Sequence, residues 1–310
     1  MSRLEVIRRQ WLISPWSLSL IAMDLTVGIA AFEAQRPRLT RLAYRMLGSV
    51  SEAQDVVQDA WLRWDKGGEG VADLEAWLVR VTSRLCIDRM RSAKARREVY
   101  RGPWLPEPLI EELTEDPLER AEDVSVAFLL ALERLSPLER AVFLLHDVFD
   151  ADYAEVAQTL SRSESTVRQL ASRARAHVRE AKPRFAVSQD QMTRLATAFM
   201  AAAFQGDLNA LTQVLAHDAV MISDGGGKRT AALRPLVGPQ DILRLLQGLA
   251  WRKGGLEAMS FRSVRVNGYF GLILQLEDGP MTLAFEPGPD GKLSGLYLVR
   301  NPDKLGHLAR

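Results

Sequence analysis

The four residues Asp152-Tyr153-Ala154-Glu155 open the segment that most restricts this chain. A carboxylate followed three residues later by Glu is a capping box, in which each side chain satisfies a backbone N–H that the first helical turn leaves free. After about two turns of helix comes a short polar turn, Ser161-Arg162-Ser163, and Ser163 can cap a longer helix from about Glu164 to Lys182, where Pro183 stops it. Two helices joined by so short a turn form a helix-turn-helix. At helical spacing, Val167, Leu170, Ala171, Ala174 and Val178 fall on one side of the longer helix. Ser165, Arg168, Gln169, Ser172, Arg173, Arg175 and Arg179 fall on the other. One side is core and the other is open to a partner.

The chemistry of that open side suits DNA. Arg pairs bidentately with guanine and Gln with adenine in the major groove, which makes Arg168, Gln169, Ser172 and Arg173, with Ser165 and Thr166 at the helix start, the candidate base readers. The later arginines neutralise phosphates. Residues 164–184 hold six basic and two acidic side chains, whereas the whole chain has a net charge of only +1, so the nucleic-acid signal is local. A merely solvated basic face would need neither the capped helix nor the short turn.

Upstream, residues 39–97 read as helical. Ala53, Val56, Val57, Ala60, Trp61 and Trp64 recur at spacings of three and four, as do Leu74, Trp77, Leu78, Val81 and Leu85, with Lys66-Gly67-Gly68-Glu69-Gly70 as a loop between. A second basic cluster, Arg84, Arg89, Arg91, Lys94, Arg96 and Arg97, follows Trp77 and Arg80 and is opposed by Asp88. Aromatic faces beside basic side chains are what unpaired bases require. Trp61, Trp64 and Trp77 nevertheless lie on apolar stripes, so each reads first as core.

Residues 98–120 read as a linker rich in proline and acid. Trp104-Leu105-Pro106-Glu107-Pro108 within it carries a Trp and a Leu that a solvated linker does not need, which implies a surface packed on them. Helical patterning resumes near Ala121, and Ser136-Pro137-Leu138-Glu139 is a second capping box with Pro at the first helical position. Beyond residue 188 come two helices (189–204 and 208–215), strand-like segments at 220–223, 263–267, 269–276, 281–285 and 293–299, and an amphipathic helix at 238–251. These make an α+β domain, expected to be a curved antiparallel sheet wrapped on helices. With 47% hydrophobic residues, the chain has material for a separate core in each domain.

Several functions are not implied. Cys86, the lone cysteine, excludes an intramolecular disulfide framework, fits a reducing cytoplasm and reads as a small buried residue. His146, His177, His217 and His307 lack metal-ligand spacing, and no metal or cofactor is inferred. The apolar stretch 11–23, interrupted by Pro15, is too short to span a bilayer. Residues 1–24 are expected to be an extension of uncertain status, either unstructured or lying outside the translated protein, with translation beginning at Met23.

Residues 39–97 resemble region 2 of sigma-70 family factors of the extracytoplasmic function group. The resemblance rests on Asp55-Val56-Val57-Gln58-Asp59-Ala60-Trp61-Leu62-Arg63-Trp64, Ala76-Trp77-Leu78-Val79-Arg80-Val81 and Ile87-Asp88-Arg89-Met90-Arg91. Residues 121–182 resemble region 4, through Leu135-Ser136-Pro137-Leu138-Glu139-Arg140, Tyr153-Ala154-Glu155-Val156-Ala157 and Ser165-Thr166-Val167-Arg168. The remainder resembles a SnoaL-like domain. Asp224-Gly225-Gly226-Gly227-Lys228 and Asn301-Pro302-Asp303-Lys304-Leu305, with the Trp104–Pro108 segment, are similar to a subgroup in which that domain is fused to the sigma factor.

What the resemblance implies is a multidomain chain: two all-α sigma domains, a region 2 helical bundle (25–97) and a region 4 helix-turn-helix (121–184), joined by the linker 98–120. A SnoaL-like curved-sheet α+β domain (188–300) and a tail (301–310) follow. Asp55, Gln58, Asp59 and Arg63 would then bind core RNA polymerase. The loop 66–73 and Trp77, Arg80, Arg84, Asp88 and Arg91 would open and hold the downstream promoter element, and the exposed face of the long helix would read the upstream element in promoter DNA. The linker would thread toward the polymerase active-site cleft. Trp104, Leu105, Pro106, Asp224–Lys228 and Asn301–Leu305 would be regulatory, in place of a separate anti-sigma protein.

Two other functions compete with this one: a free-standing DNA-binding regulator, and a C-terminal module that binds or transforms an unknown small ligand. Asp218 and Asp224 are available carboxylates without a sequence-level acid/base pairing, so no catalytic residue is assigned. In isolation Asp224–Lys228 could be a phosphate nest, but a plain hairpin turn accounts for it better.

Overall fold

A computed structural model describes residues 15–67, 71, 73–98, 100–112, 125–179, 189–253, 260–288 and 290–308. The extension up to residue 14, the loop glycines Gly68 and Gly70, the linker's second half (113–120) with the next four residues (121–124), the helix stop at Pro183 and the chain end at 309–310 lie outside the described residues.

Helix α1 (Pro15–Leu47) is continuous over 33 residues. Residues 15–24 are therefore helical and not an unstructured extension, and the helical pattern expected from Leu39 starts earlier. The physical reason lies in Phe32, Leu39, Leu42, Ala43 and Met46, which are buried at helical spacings. Pro37, which forfeits one backbone hydrogen bond, falls on the exposed side. Gly48 ends the helix at φ +70°, its N–H donating to the Tyr44 carbonyl.

Helices α2 (Val50–Gly67) and α3 (Leu74–Glu98) pack on α1. The Asp73 carboxylate caps α3 by accepting from the Ala76 N–H at 2.9 Å. Trp61 stacks between Phe32 and Trp64, with ring centroids 4.7 Å and 5.0 Å away, and Gly28 lies so close under Trp64 that a Cβ there would overlap the ring. Trp61, Trp64 and Trp77 are all half-buried, and Trp61 and Trp77 pack against the buried cluster. Cys86 is buried, and burial pushes its thiol well above the ordinary range.

Next come α4 (Val126–Glu133), α5 (Pro137–Phe143) with a π-helical turn at Leu144–Val148, α6 (Tyr153–Leu160) and α7 (Glu164–Arg179). Both capping boxes form, at Ser136/Glu139 and Asp152/Glu155. Ser161 adopts the left-handed conformation, φ 54°, that turns the chain between α6 and α7. A separate core for each helical module was expected, but one cluster runs from Phe32 to Ile87 and on through Leu129 to Ala174. Arg140 crosses that seam. Its guanidinium, 1% exposed, donates to the Leu132 and Met46 carbonyls at 2.8 and 2.7 Å and pairs with Glu133 at 2.8 Å.

The C-terminal part has helices α8 (Gln189–Gln205), α9 (Leu208–Val214) and α10 (Pro239–Lys253). Its sheet contains β1 (Ile110–Glu111), β2 (Leu215–Asp224), β3 (Leu236–Val237), β4 (Ser260–Val266), β5 (Tyr269–Leu276), β6 (Gly279–Pro287) and β7 (Leu293–Val299), in the order β1-β4-β5-β6-β7-β2-β3. The expected antiparallel sheet is in fact mixed, because the α10 crossover places the last strand of the β4–β7 meander beside β2 in the same direction. One face packs against α8–α10 through Phe199, Leu211, Ile242, Leu272 and Phe285. The other face, with Val264, Val266, Ile273, Ala284, Tyr297 and Val299, is covered by Leu105, the start of α4 and Leu305 of a short helix α11 (Pro302–Leu305).

Candidate nucleic-acid interface and linker clamp

The segment read as a linker is a built contact along residues 100–112. Asp224, at the end of β2 and 0% exposed, collects four donors: the Tyr100 hydroxyl at 2.6 Å, the N–H groups of Leu105 and Gly226 at 2.9 Å each, and the Lys304 ammonium at 2.7 Å. Burial and the neighbouring carboxylate hold the Tyr100 hydroxyl well above its usual range, so it remains a donor. Lys304 also donates to the Leu105 carbonyl and lies 4.3 Å from the Trp104 ring centre.

Asn301 caps α11, and its amide donates to the Tyr100 hydroxyl at 2.9 Å. Gly226, at φ +62°, passes so close to Asn301 that a Cβ would overlap the amide. Of the residues read as regulatory, Trp104 and Leu105 thus meet Asp224, Lys304 and Leu305, and Gly226 meets Asn301. The exposed Lys228–Asp303 pair at 2.6 Å is a minor part of this contact.

The same segment is bound to the first helical module. Glu107 donates its N–H to the Gly48 carbonyl, and its carboxylate accepts from Ser49 Oγ and the Val50 N–H at 3.0 and 2.9 Å. The Tyr44 hydroxyl donates to the Glu107 carbonyl at 2.8 Å and accepts from the buried Asn267 amide at 2.7 Å. Leu109 and Asn267 exchange further bonds, and Ile110 and Glu111 pair with Val266 and Arg265 as an added strand. Tyr44, Gly48 and Asn267 escaped the sequence reading, which singled out Glu107 within the Trp104–Pro108 segment without its partners. The one local signal was Asn267-Gly268, both at positive φ, a turn that brings a polar amide inside.

On α2, Asp55, Gln58 and Arg63 are exposed and Asp59 is half-buried. Arg89 of α3 pairs with Asp59 at 3.0 Å and Asp55 at 3.8 Å, tying the two helices together. On α3, Trp77 and Arg80 are half-buried while Arg84, Asp88 and Arg91 are exposed. Arg84 donates to Ser161 Oγ at 2.6 Å, so α3 touches the turn of the helix-turn-helix. On α7, Ser165, Arg168, Gln169, Ser172 and Arg173 are exposed and Thr166 is half-buried.

Arg175, expected on the open side, is half-buried and pairs with neighbours on α6 and the π-helical turn. It donates to Asp147 at 2.6 Å and to the Tyr153 hydroxyl at 3.2 Å. Arg173 lies 3.5 Å from Glu139. Burial alone would raise the Glu139 carboxyl, but hydrogen bonds from Ser136 and the charges of Arg173 and His177 outweigh it and hold the group below its ordinary value.

Residues 31–96 match the model of Sigma-70 region 2, and residues 125–178 match that of Sigma-70, region 4. The ECF RNA polymerase sigma factor SigJ of Mycobacterium tuberculosis is 40% identical over 289 residues, covering 89% of this chain and 93% of SigJ. The SigJ crystal structure aligns with a TM-score of 0.73 at 37% identity, over 90% of this chain and 98% of that one. A SnoaL-like protein of unknown function from Burkholderia thailandensis aligns over 36% of this chain and 97% of its own, at 15% identity and a TM-score of 0.29.

Proposed function

Because the chain belongs to the extracytoplasmic function group of RNA polymerase sigma factors, we propose that its C-terminal domain governs promoter use by holding the linker in a docked state. A sigma factor binds core polymerase and directs initiation at promoters. In this reading Asp55, Gln58, Asp59 and Arg63 meet the polymerase, Trp77, Arg80, Arg84, Asp88 and Arg91 meet the downstream element, and Arg168, Gln169, Ser172 and Arg173, with Ser165 and Thr166, read the upstream element.

The observation that carries the regulatory part is the linker clamp. Asp224 and Lys304 grip the chain at Leu105, while Gly48 and Tyr44 grip it two and more residues later at Glu107. A connector fastened at both points fixes how region 2 sits against the C-terminal domain, and the shared helical core fixes region 4 against region 2. A regulator acts on such an equilibrium only by favouring one arrangement over another. The same contacts weigh against a catalytic role for Asp224, whose carboxylate is enclosed by four donors.

The test is promoter-specific transcription with core polymerase, run with full-length protein, with residues 301–310 deleted and with everything after residue 184 deleted, alongside proteolysis of the linker. Altered transcription and faster cleavage near Trp104 in the shorter deletion support the clamp. If both deletions match the full-length protein in transcription and cleavage, regulation through this contact is refuted.

A further inference from the structure

We infer that Tyr153 is a positioning residue for promoter recognition, setting the guanidinium of Arg168 before DNA arrives; this rests on the reading of α7 as the upstream-element helix. Tyr153 is the first residue of α6, so the Asp152 cap fixes its backbone. Its ring carries the Arg168 guanidinium 4.3 Å from the centroid, and the His146 imidazole packs on it at 3.9 Å. His146 is itself held, with Nδ1 2.7 Å from the Ala151 carbonyl. The Tyr153 hydroxyl accepts from Arg175 at 3.2 Å, and Arg175 is anchored by Asp147 at 2.6 Å. The ring is thus fixed from its backbone, its hydroxyl and one neighbouring ring.

A guanidinium stacked on an aromatic ring uses its face for that contact and keeps its N–H edge for hydrogen bonds. Arg168 spends part of that edge on Glu164 at 3.2 Å, yet its side chain remains 59% exposed. A long, flexible arginine on an open helix face would otherwise lose rotamer freedom on meeting a base, and stacking in advance removes part of that loss. Tyr153 therefore contributes to sequence discrimination through Arg168. Arg175 serves the support and not the base edge.

The experiment measures binding of the full-length protein, with core polymerase, to a cognate promoter and to single-base variants of its upstream element. Tyr153→Leu is expected to weaken cognate binding by about tenfold and to shrink the ratio between cognate and variant promoters. Tyr153→Trp keeps a stacking face and should restore that ratio. In an Arg168→Ala background, Tyr153→Leu should reduce the ratio no further. A purely structural role predicts the opposite pattern: equal weakening on all promoters, a lower melting temperature and an unchanged ratio, and that result overturns the inference. If Arg168→Ala itself leaves the ratio intact, the reading of α7 falls and Tyr153 with it.

Discussion

Replacing Asp224 by Asn keeps the side chain's shape while removing the charge that Lys304 answers and one of the two oxygens that four donors share. The Asp224 side chain is 0% exposed and Lys304 12%, so water offers little compensation. Removing one partner of such a buried pair costs about 3–5 kcal/mol. At about 1.4 kcal/mol per factor of ten, that multiplies the undocked population of the linker by roughly a hundred to a few thousand. Where opening and closing are fast relative to cleavage, proteolysis follows that population.

Chymotrypsin cleavage after Tyr100 and Trp104 should therefore accelerate by about two orders of magnitude or more, at temperatures well below global melting. Adding Lys304→Met should reverse much of the effect, since it removes the ammonium that Asp224→Asn leaves unpaired. A rise of less than about tenfold, with the melting temperature unchanged, would refute the claim that this carboxylate holds the linker.

Arg168→Ala should weaken upstream-element recognition by about 1–3 kcal/mol, whereas Arg179→Ala should weaken all sequences alike and flatten the salt dependence, as footprinting over a salt series will show. Arg140→Ala removes the guanidinium that joins α1 to α4 and leaves Glu133 and two carbonyls without it, so the urea midpoint should fall by the equivalent of about 3–5 kcal/mol. The Glu139 carboxyl is depressed in the fold, so its contribution is complete above the unfolded carboxylate value of about 4.3 and disappears as pH falls through the lower folded value. Glu139→Gln should accordingly lower stability at pH 7 and flatten its loss on acidification below about pH 4.3, measured by urea unfolding at a series of pH values.

The parts legible in the sequence are those fixed by neighbours along the chain. The two capping boxes, the polar turn at Ser161-Arg162-Ser163 and the buried stripe of α7 depend on spacings of three and four, and each stands where it was read. The strands at 269–276 and 293–299 did too. Contacts between distant segments were not legible. Glu107 reads as one acid among several until Gly48 and Val50 are placed beside it, and Asn267 reads as a turn residue until its amide meets Tyr44. The Trp104-Leu105 pair did announce a covering surface, because burial can be inferred from composition even when the partner cannot. Arg175 misled because helical spacing gives a direction from the axis and does not say which neighbour a long side chain will reach.

Helix α4 has two apolar sides with different destinations: Leu129 and Leu132 enter the helical core, while Val126, Ala127 and Leu130 lie on the sheet with Leu105 and Leu305. The C-terminal domain is consequently not a portable cassette. Grafted alone onto another sigma factor, residues 189–299 would present Val264, Val266, Ile273, Ala284, Tyr297 and Val299 as a bare apolar face, the kind of surface that drives association. A working chimera must carry residues 100–112, the outer side of α4 and the tail through Leu305 as one inheritance, so these distant stretches of sequence are constrained to change together.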